Sequence, residues 1–462
     1  MKRKHKIITY PEFLEAKKHS TIDYGIKPIW FPDGMFDFQK YVTDIGIRKG
    51  RYAEFLDTGT GKTLIELTIA ANYAMATNKP VLIVTPLAVA EQHLREAEKF
   101  GIEDVEHTKD GKYKKKIILI NYERLHYLDA NDFDCVILDE SSILKNYKGI
   151  IRNNITTFLK KVKYRFLLTA TPSPNDYIEL GTSSEAIGDL GYLEMLQRFF
   201  ANNENNIRPQ EIATKWYLKP HAENDFFNWV SGWSISMRKP SDLGFSDDKF
   251  TLPELITKHN YIKNDRNWSV NGQPLIFGQI AKTMTEVRQE QKMTIENRCE
   301  KAVELASKHD TTVYWCNFND EGKLLQQLDK NSYQIEGSMK LEKKEELLLA
   351  FSQGEIKKLI TKPKMTSFGL NWQHCNHTVY FPTWSYEQYY QSIRRFWRFG
   401  QTKPVTCDLV LSDGQKRVID ALLFKTEKAI QLFDKLNLTL KNSGLKIKSQ
   451  CFTKEINKPK FV

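Results

Sequence analysis

Two stretches of this chain alternate short apolar runs with longer amphipathic segments, and that rhythm limits the folds open to it. From about Tyr52 to Thr169 the runs are AEFL, VLIVT, IILI, VILD and RFLLTA, with helical spacing from Lys62 and again over 90–100. A second series, VYWC, YQIEG, KLIT, TVYF and VTCDLVL, starts near Thr311 and is broken by helix-like segments at 321–328 and 340–351. Strands that are apolar throughout are covered on both faces, and helices between them supply the cover, so each series predicts an α/β lobe built on a doubly wound parallel sheet. The expected division is an N-terminal lobe over 1–185, an inserted, mainly helical module with a linker helix over 186–300, and a C-terminal lobe over 301–462. The middle region is marked off by ANNENN, by Trp216, Trp229 and Trp233, which are read as core fillers, by the turn-rich RKPSDLGFSDD, and by a polar helical stretch over 280–306.

No apolar run approaches the ~18 residues a membrane span needs, which argues against a membrane protein. Lys plus Arg (68) outnumber Asp plus Glu (57) for a net charge of +11, a balance that suits a polyanionic partner such as nucleic acid. The six cysteines stand singly and no secretory signal precedes them. That pattern points to a reducing cytoplasm, bacterial or that of a viral host, and away from structural zinc. Lys112, Lys114, Lys115 and Lys116 are read as a solvated loop.

Directly after AEFL and directly before the helical LIELTIAANYA comes DTGTGKT, Asp57 to Thr63. Thr58, Gly59, Thr60 and Gly61 make a tight turn whose N–H groups can face phosphate oxygens at a helix N-terminus. Lys62 would reach the β/γ-phosphates and Thr63 would offer a hydroxyl to Mg²⁺, the pattern of a Walker A loop with Leu56 in place of its first Gly. A chance Gly-rich turn is the competing reading, and the strand-loop-helix setting weighs against it. VILDESS supplies the matching carboxylates at a strand tip: Asp139 to hold Mg²⁺ through water, and Glu140 to orient and deprotonate an attacking water.

Ser385 and Gln388 form an S-x-x-Q cap, and Gly400 with Pro404 supplies a stop, which predicts a helix over 386–399. On it Gln388, Gln391, Arg395 and Arg398 share one face. A polar stripe on an aromatic-rich helix calls for a ligand, with a solvated charged face as the competing reading.

Together these segments resemble helicase superfamily two, and within it the Swi/Snf-like DNA translocases, from about Phe36 to Gln401. FDFQ places Gln39 like the adenine-reading Gln upstream of the P-loop. VTPLAV, with Thr85 and Pro86 and then Gln92, Glu96 and Phe100, resembles motif Ia; INYERL, with Asn121 and Tyr122, resembles the next strand motif lining the nucleic-acid channel. DESSILKN resembles the carboxylate box followed by the Leu-Lys-Asn of the Swi/Snf branch, with Ser142 where that family usually has His. LTATPSPND, with Thr169 and Thr171, resembles motif III. SFGLNWQ, with Ser367, Gly369 and Asn371, resembles motif V, and QSIRRFWRFGQ resembles motif VI at Gln391, Arg395, Arg398, Gly400 and Gln401. Arg394 occupies a position that is usually acidic there. MRKPSDLG, followed by Leu252 and Pro253, is similar to the segment joining the inserted helices to the second lobe.

The resemblance implies two RecA-like lobes that close on ATP and Mg²⁺. Arg395 and Arg398 would enter from the second lobe as arginine fingers beside Lys62 and Glu140, and Gln39, Gly369, Asn371 and Gln391 would join the nucleotide site. Thr85, Pro86, Asn121, Tyr122, Thr169, Thr171 and Ser367 would contact nucleic acid. The implied activity is a DNA-stimulated ATPase moving along duplex or branched DNA, with a nuclease or a replication or recombination factor as a possible protein partner. An RNA helicase and a nucleotide-gated scaffold are the alternatives; Leu-Lys-Asn weighs against the first and the intact Lys62, Asp139 and Glu140 against the second.

Overall fold

The computed structural model describes residues 23–86, 89–202, 216–248, 250–262, 269–270, 273–274, 284–366, 371–412 and 415–442. The first lobe holds β1 (Arg51–Leu56), β2 (Val81–Thr85), β3 (Val105–His107), β4 (Ile117–Asn121), β5 (Cys135–Asp139), β6 (Tyr164–Thr169) and β9 (Ser234–Met237), with β7 (Phe200–Asn202) and β8 (Trp216–Leu218) as a separate antiparallel pair. Its sheet runs β3-β4-β2-β5-β6-β1-β9 with every pairing parallel. Side chains of successive strand residues leave opposite faces. Accordingly Phe55, Val84, Val136 and Leu138 enter one core, while Leu56, Ile83, Cys135 and Ile137 enter the other. Both faces are dry, which is why these strands read as unbroken apolar runs.

The second sheet runs β10-β17-β16-β13-β15-β14, again all parallel. Its strands are β10 (Leu255–Ile262), β13 (Thr312–Trp315), β14 (Ser332–Gln334), β15 (Lys358–Thr361), β16 (His377–Tyr380) and β17 (Val405–Ser412); β11 (Ser269–Val270) and β12 (Gln273–Pro274) pair apart from it. The two doubly wound parallel sheets are the expected fold class.

The expected boundaries shift. Strand β9 lies at the edge of the first sheet beside β1, and the helix Glu223–Trp233 before it buries Phe226, Phe227, Trp229, Val230 and Trp233 in the core that holds Phe55 and Leu138. So aromatic a helix face needs a sheet to cover it, and the nearest uncovered face belongs to the first lobe. Residues 216–237 therefore pack with that lobe. The tryptophans of this helix fill core as expected, with the Trp229 indole donating to Asp189 at 2.7 Å. Likewise β10 and the helix Ile295–Ala306 pack in the second lobe, so the chain first crosses over in the proline-containing stretch after Met237.

A helix of 27 residues, Lys416–Asn442, returns across the seam. Ile419 and Leu422 sit in the second-lobe core, whereas Leu432, Phe433 and Leu436 sit in the first. Its far end pairs Asp434 with Arg238 and Lys435 with Glu223, and Ser236 donates to Asn437 at 2.7 Å.

Candidate active site between the lobes

Strand order assembles the site. Walker A follows β1, Walker B ends β5, and β6 lies between them, so the three tips stand side by side at the carboxyl edge where open α/β sheets bind ligands. The loop after β1 leads into the helix Lys62–Thr77 through Gly61, with Gly59 at φ +84° and Gly61 at φ +86°. Only glycine adopts that backbone freely. Space excludes a side chain as well: a Cβ on Gly61 would lie 2.1 Å from Gln39 Nε2, and one on Gly59 would lie 3.0 Å from the backbone nitrogen of Phe399 in the second lobe.

Lys62 Nζ donates to the carbonyls of Leu56 (3.0 Å) and Asp57 (3.2 Å), so the ammonium folds back on its own loop. Burial lowers its pKa, opposed by Glu140, Asp57 and Asp139. Gln39 Nε2 donates to Thr60 O at 2.9 Å and its Oε1 accepts from the Phe36 N–H at 2.9 Å, which fastens the preceding helix to the loop. The Thr60 hydroxyl turns inward onto Asp57 O at 2.7 Å, so Thr60 contributes loop geometry.

Glu140 departs from ordinary backbone. At φ 55° and ψ 54° it is left-handed, a conformation costing a non-glycine residue about 1 to 3 kcal/mol. The turn aims its carboxylate back at β6, where Glu140 Oε1 accepts from Thr169 Oγ1 (2.6 Å) and Ser142 Oγ (2.8 Å). Asp139 lies against a buried pair, with His93 Nε2 2.7 Å from Glu66 Oε2 and 4.0 Å from Asp139 Oδ2. Burial and the Glu66 carboxylate push Asp139 up to about 7. Burial alone would depress His93, but the hydrogen bond and charge of Glu66, with Asp139 beyond, raise it to about 9.

The second lobe closes the site. A cavity of about 280 Å³ is lined by Gln39, Thr58, Gly59, Gly61, Lys62, Thr63, Asp139 and Glu140 from one side and by Asn371, Gln373, Arg395, Arg398 and Phe399 from the other. Burial and the adjoining Arg398 push Arg395 down to about 9, and burial and Arg394 push Arg398 down to about 10. Arginine does not give up its proton at these values in practice. Burial and the neighbouring cation act in the same direction on each. Phe36, Phe100, Phe250 and Phe399 add aromatic lining, with Phe250 and Phe399 stacked at 4.7 Å.

Several expected residues stand elsewhere. The arginine segment is not one helix: regular helix ends at Ile393, and tight turns follow to Gly400 at φ +91°. The Arg395 carbonyl accepts from Trp372 N at 3.1 Å and the Phe396 ring fills the second-lobe core, so tertiary contacts pull this stretch off the helical path. Gln391 is 1% exposed and does not line the cleft; its carbonyl accepts from Arg395 Nε at 3.2 Å. Thr85, Asn121, Tyr122 and Thr169 are buried. Thr85 donates to Pro86 O at 3.1 Å, Asn121 Nδ2 to Pro86 O at 3.3 Å and the Tyr122 hydroxyl to the Asp139 carbonyl at 2.6 Å. These residues shape the carboxylate strand from behind, and Pro86 lines the cleft itself. Thr171 is also buried, its N–H donating to Thr169 Oγ1 at 3.0 Å. Ser367 and Gly369 lie outside the described residues. Arg394, left without a role by the motif, grips the P-loop.

Residues 43–174 match the family model of the type III restriction enzyme res subunit, and residues 275–400 match that of the helicase conserved C-terminal domain. One match falls in each lobe, and together they make the chain similar to the two-lobed helicases of superfamily two. A Xenopus laevis relative, SWI/SNF-related matrix-associated actin-dependent regulator of chromatin subfamily A-like protein 1, is 32% identical over 164 residues, which is 33% of this chain and 17% of that protein. The chromodomain-helicase-DNA-binding protein 1-like protein of Danio rerio is 28% identical over 144 residues, 27% of this chain and 14% of the relative. The chain thus spans about a sixth of the length of the curated relatives it matches. The solved Sulfolobus solfataricus SWI2/SNF2 ATPase core in complex with dsDNA covers 91% of this chain and 98% of its own, at 17% identity and a TM-score of 0.41. Among the described residues no helix is long and apolar enough to cross a membrane.

Proposed function

We propose that this chain is a DNA-stimulated ATPase of superfamily two that converts lobe closure into movement along duplex or branched DNA. The observation that carries the reading is the bipartite cleft, in which Lys62, Asp139 and Glu140 face Arg395 and Arg398 across the seam. Its donor set fits a magnesium nucleotide: glycines leave room for phosphate against backbone N–H groups, and Thr63 and Asp139 offer the hard oxygen ligands that Mg²⁺ takes. Bound there, Mg²⁺ would neutralise charge on the β- and γ-phosphate oxygens.

In this reading Lys62 leaves its two loop carbonyls for the phosphates. Glu140, held by Thr169 and Ser142, orients the attacking water and takes its proton, while Arg395 and Arg398 stabilise the charge that develops on the transferred group. Arginine fingers of this kind contribute roughly 10³ to 10⁵ in rate. Coupling to the track would pass through β6, because Thr169 at its tip holds the catalytic carboxylate and Thr171 and Pro172 continue into the interlobe seam. Turnover with duplex DNA, forked DNA, single-stranded DNA and RNA at stated salt tests the proposal. Strongest stimulation by duplex or forked DNA is expected; activation by RNA alone would overturn it.

A further inference from the structure

The structure assigns Arg394 as a positioning residue: it makes the phosphate-binding turn of the first lobe conditional on closure of the second. Arg394 follows directly on the helix Tyr386–Ile393, and its side chain is 4% exposed. Its Nη2 lies 2.6 Å from Asp57 Oδ2 and donates to the Thr58 carbonyl at 3.0 Å, while its Nε donates to the Thr58 hydroxyl. The Tyr390 hydroxyl donates to Asp57 Oδ1 from one turn earlier. Two side chains of one lobe therefore hold one carboxylate of the other.

Both ends of this contact are built in advance. The guanidinium lies 4.9 Å from the Trp397 ring centre, and the Trp397 indole is anchored on the Pro253 carbonyl at 2.6 Å. A planar fork held in that way loses little freedom when it binds a carboxylate. On the other side Asp57 is the node of the P-loop. Its Oδ1 accepts from Thr58 N at 2.6 Å, its carbonyl accepts from Thr60 Oγ1 and Lys62 Nζ, and its N–H donates to Met237 O at 3.0 Å. Moving Asp57 moves the turn that presents Thr58, Gly59 and Lys62.

Arg394 differs from its neighbours in what it faces. Arg395 and Arg398 line the nucleotide cleft, whereas Arg394, Asp57 and Tyr390 line the apolar cavity on the other side of the turn. Arg394 thus acts through the loop and not on phosphate. Opening the lobes strips Asp57 of its ion pair and its phenol together, so the turn loosens as the fingers withdraw and re-forms as they return. Closure and phosphate cradling become one event.

This inference rests on the cleft being an ATPase centre, so its test reads lobe separation as well as turnover. In the full chain with Cys451→Ser, dyes at Asp132→Cys and Lys330→Cys report the interlobe distance by energy transfer. Arg394→Ala and Asp57→Ala should each lengthen that distance in nucleotide-free protein, and the double variant should lengthen it no further than either alone. In turnover, Arg394→Ala should lower kcat at least tenfold with a smaller change in the KM for ATP, and Arg394→Lys, with charge but no fork, should fall between. Tyr390→Phe, which keeps the ion pair, should lengthen the distance less than Arg394→Ala and stands in for any variant that fails to fold. Wild-type transfer efficiency in Arg394→Ala, or strictly additive effects of the two alanines, would overturn the assignment. A wild-type chain inert toward ATP with every nucleic acid would sink the ATPase reading while leaving the distance measurement to judge the latch.

Discussion

Two cavities share the seam between the lobes and differ in almost every respect. The nucleotide cleft, about 280 Å³, gathers Lys62, Asp139, Glu140, Arg395 and Arg398. Its neighbour, about 880 Å³, is walled by Tyr386, Tyr389, Trp397, Leu422, Ile430 and Phe433. Size alone would pick the wrong one. Chemistry belongs where opposite charges from two lobes converge in a dry space, since fixed charges act there with little screening. The larger void is walled mostly by apolar side chains, with the Arg394–Asp57 pair at its edge as the polar contact that a shift of the lobes would break. The turn bearing Asp57 is the partition between them, with converging charges on one side and apolar slack on the other.

Predictions that break or sharpen this contrast run from the polar side to the apolar side. Lys62→Ala and Glu140→Gln should abolish turnover in a steady-state assay while circular dichroism stays native; a fully active Glu140→Gln enzyme would remove the general base from the scheme. Arg395→Ala and Arg398→Ala should each cost about 10³-fold or more in kcat, the lower end for an arginine finger. Thr169→Val should slow turnover about 10- to 100-fold, since a hydrogen bond to a charged group contributes about 1.5 to 3 kcal/mol; an unchanged rate would show that Glu140 needs no holder.

His93→Gln tests stability. The folded-state pKa of His93 is raised to about 9 from the ordinary 6.5. Its contribution is therefore complete below about pH 6.5 and disappears as pH rises through about 9. In denaturant melts the variant should lose about 3 kcal/mol at pH 6 and little at pH 10, at roughly 1.4 kcal/mol for each tenfold change. A deficit independent of pH would mean that packing, not charge, is what His93 supplies. Smallest of all, Ala429→Leu in the apolar cavity wall should shift stability by less than about 1.5 kcal/mol and leave the KM for ATP unchanged.

Much of this was legible in the primary structure. The runs around β1, β2, β4, β5 and β6 declared a parallel sheet because burial on both faces leaves them mostly apolar, and GTGKT and VILDE follow strands whose order brings the two segments to one cleft. Less visible was β9: four residues, SISM, carry too little periodicity, and only the aromatic helix before them shows which core they join. The directions taken by the polar groups of Asn121, Tyr122 and Thr169 were hidden for a different reason. A motif reports that a residue matters near a strand tip, but which way its hydroxyl turns is decided by neighbours distant in sequence, here the Asp139 carbonyl and the Glu140 carboxylate. Arg394 was unreadable for the same cause, since Asp57 lies more than three hundred residues upstream.

The helix Lys416–Asn442 deserves a mechanical reading. At 1.5 Å per residue it is roughly 40 Å long, stiff over that length, and moored by apolar side chains at both ends. Such a strut fixes the radius on which one lobe can swing about the other. It permits rotation and resists separation, and in the proposed motor it would cap the stroke available from each molecule of fuel.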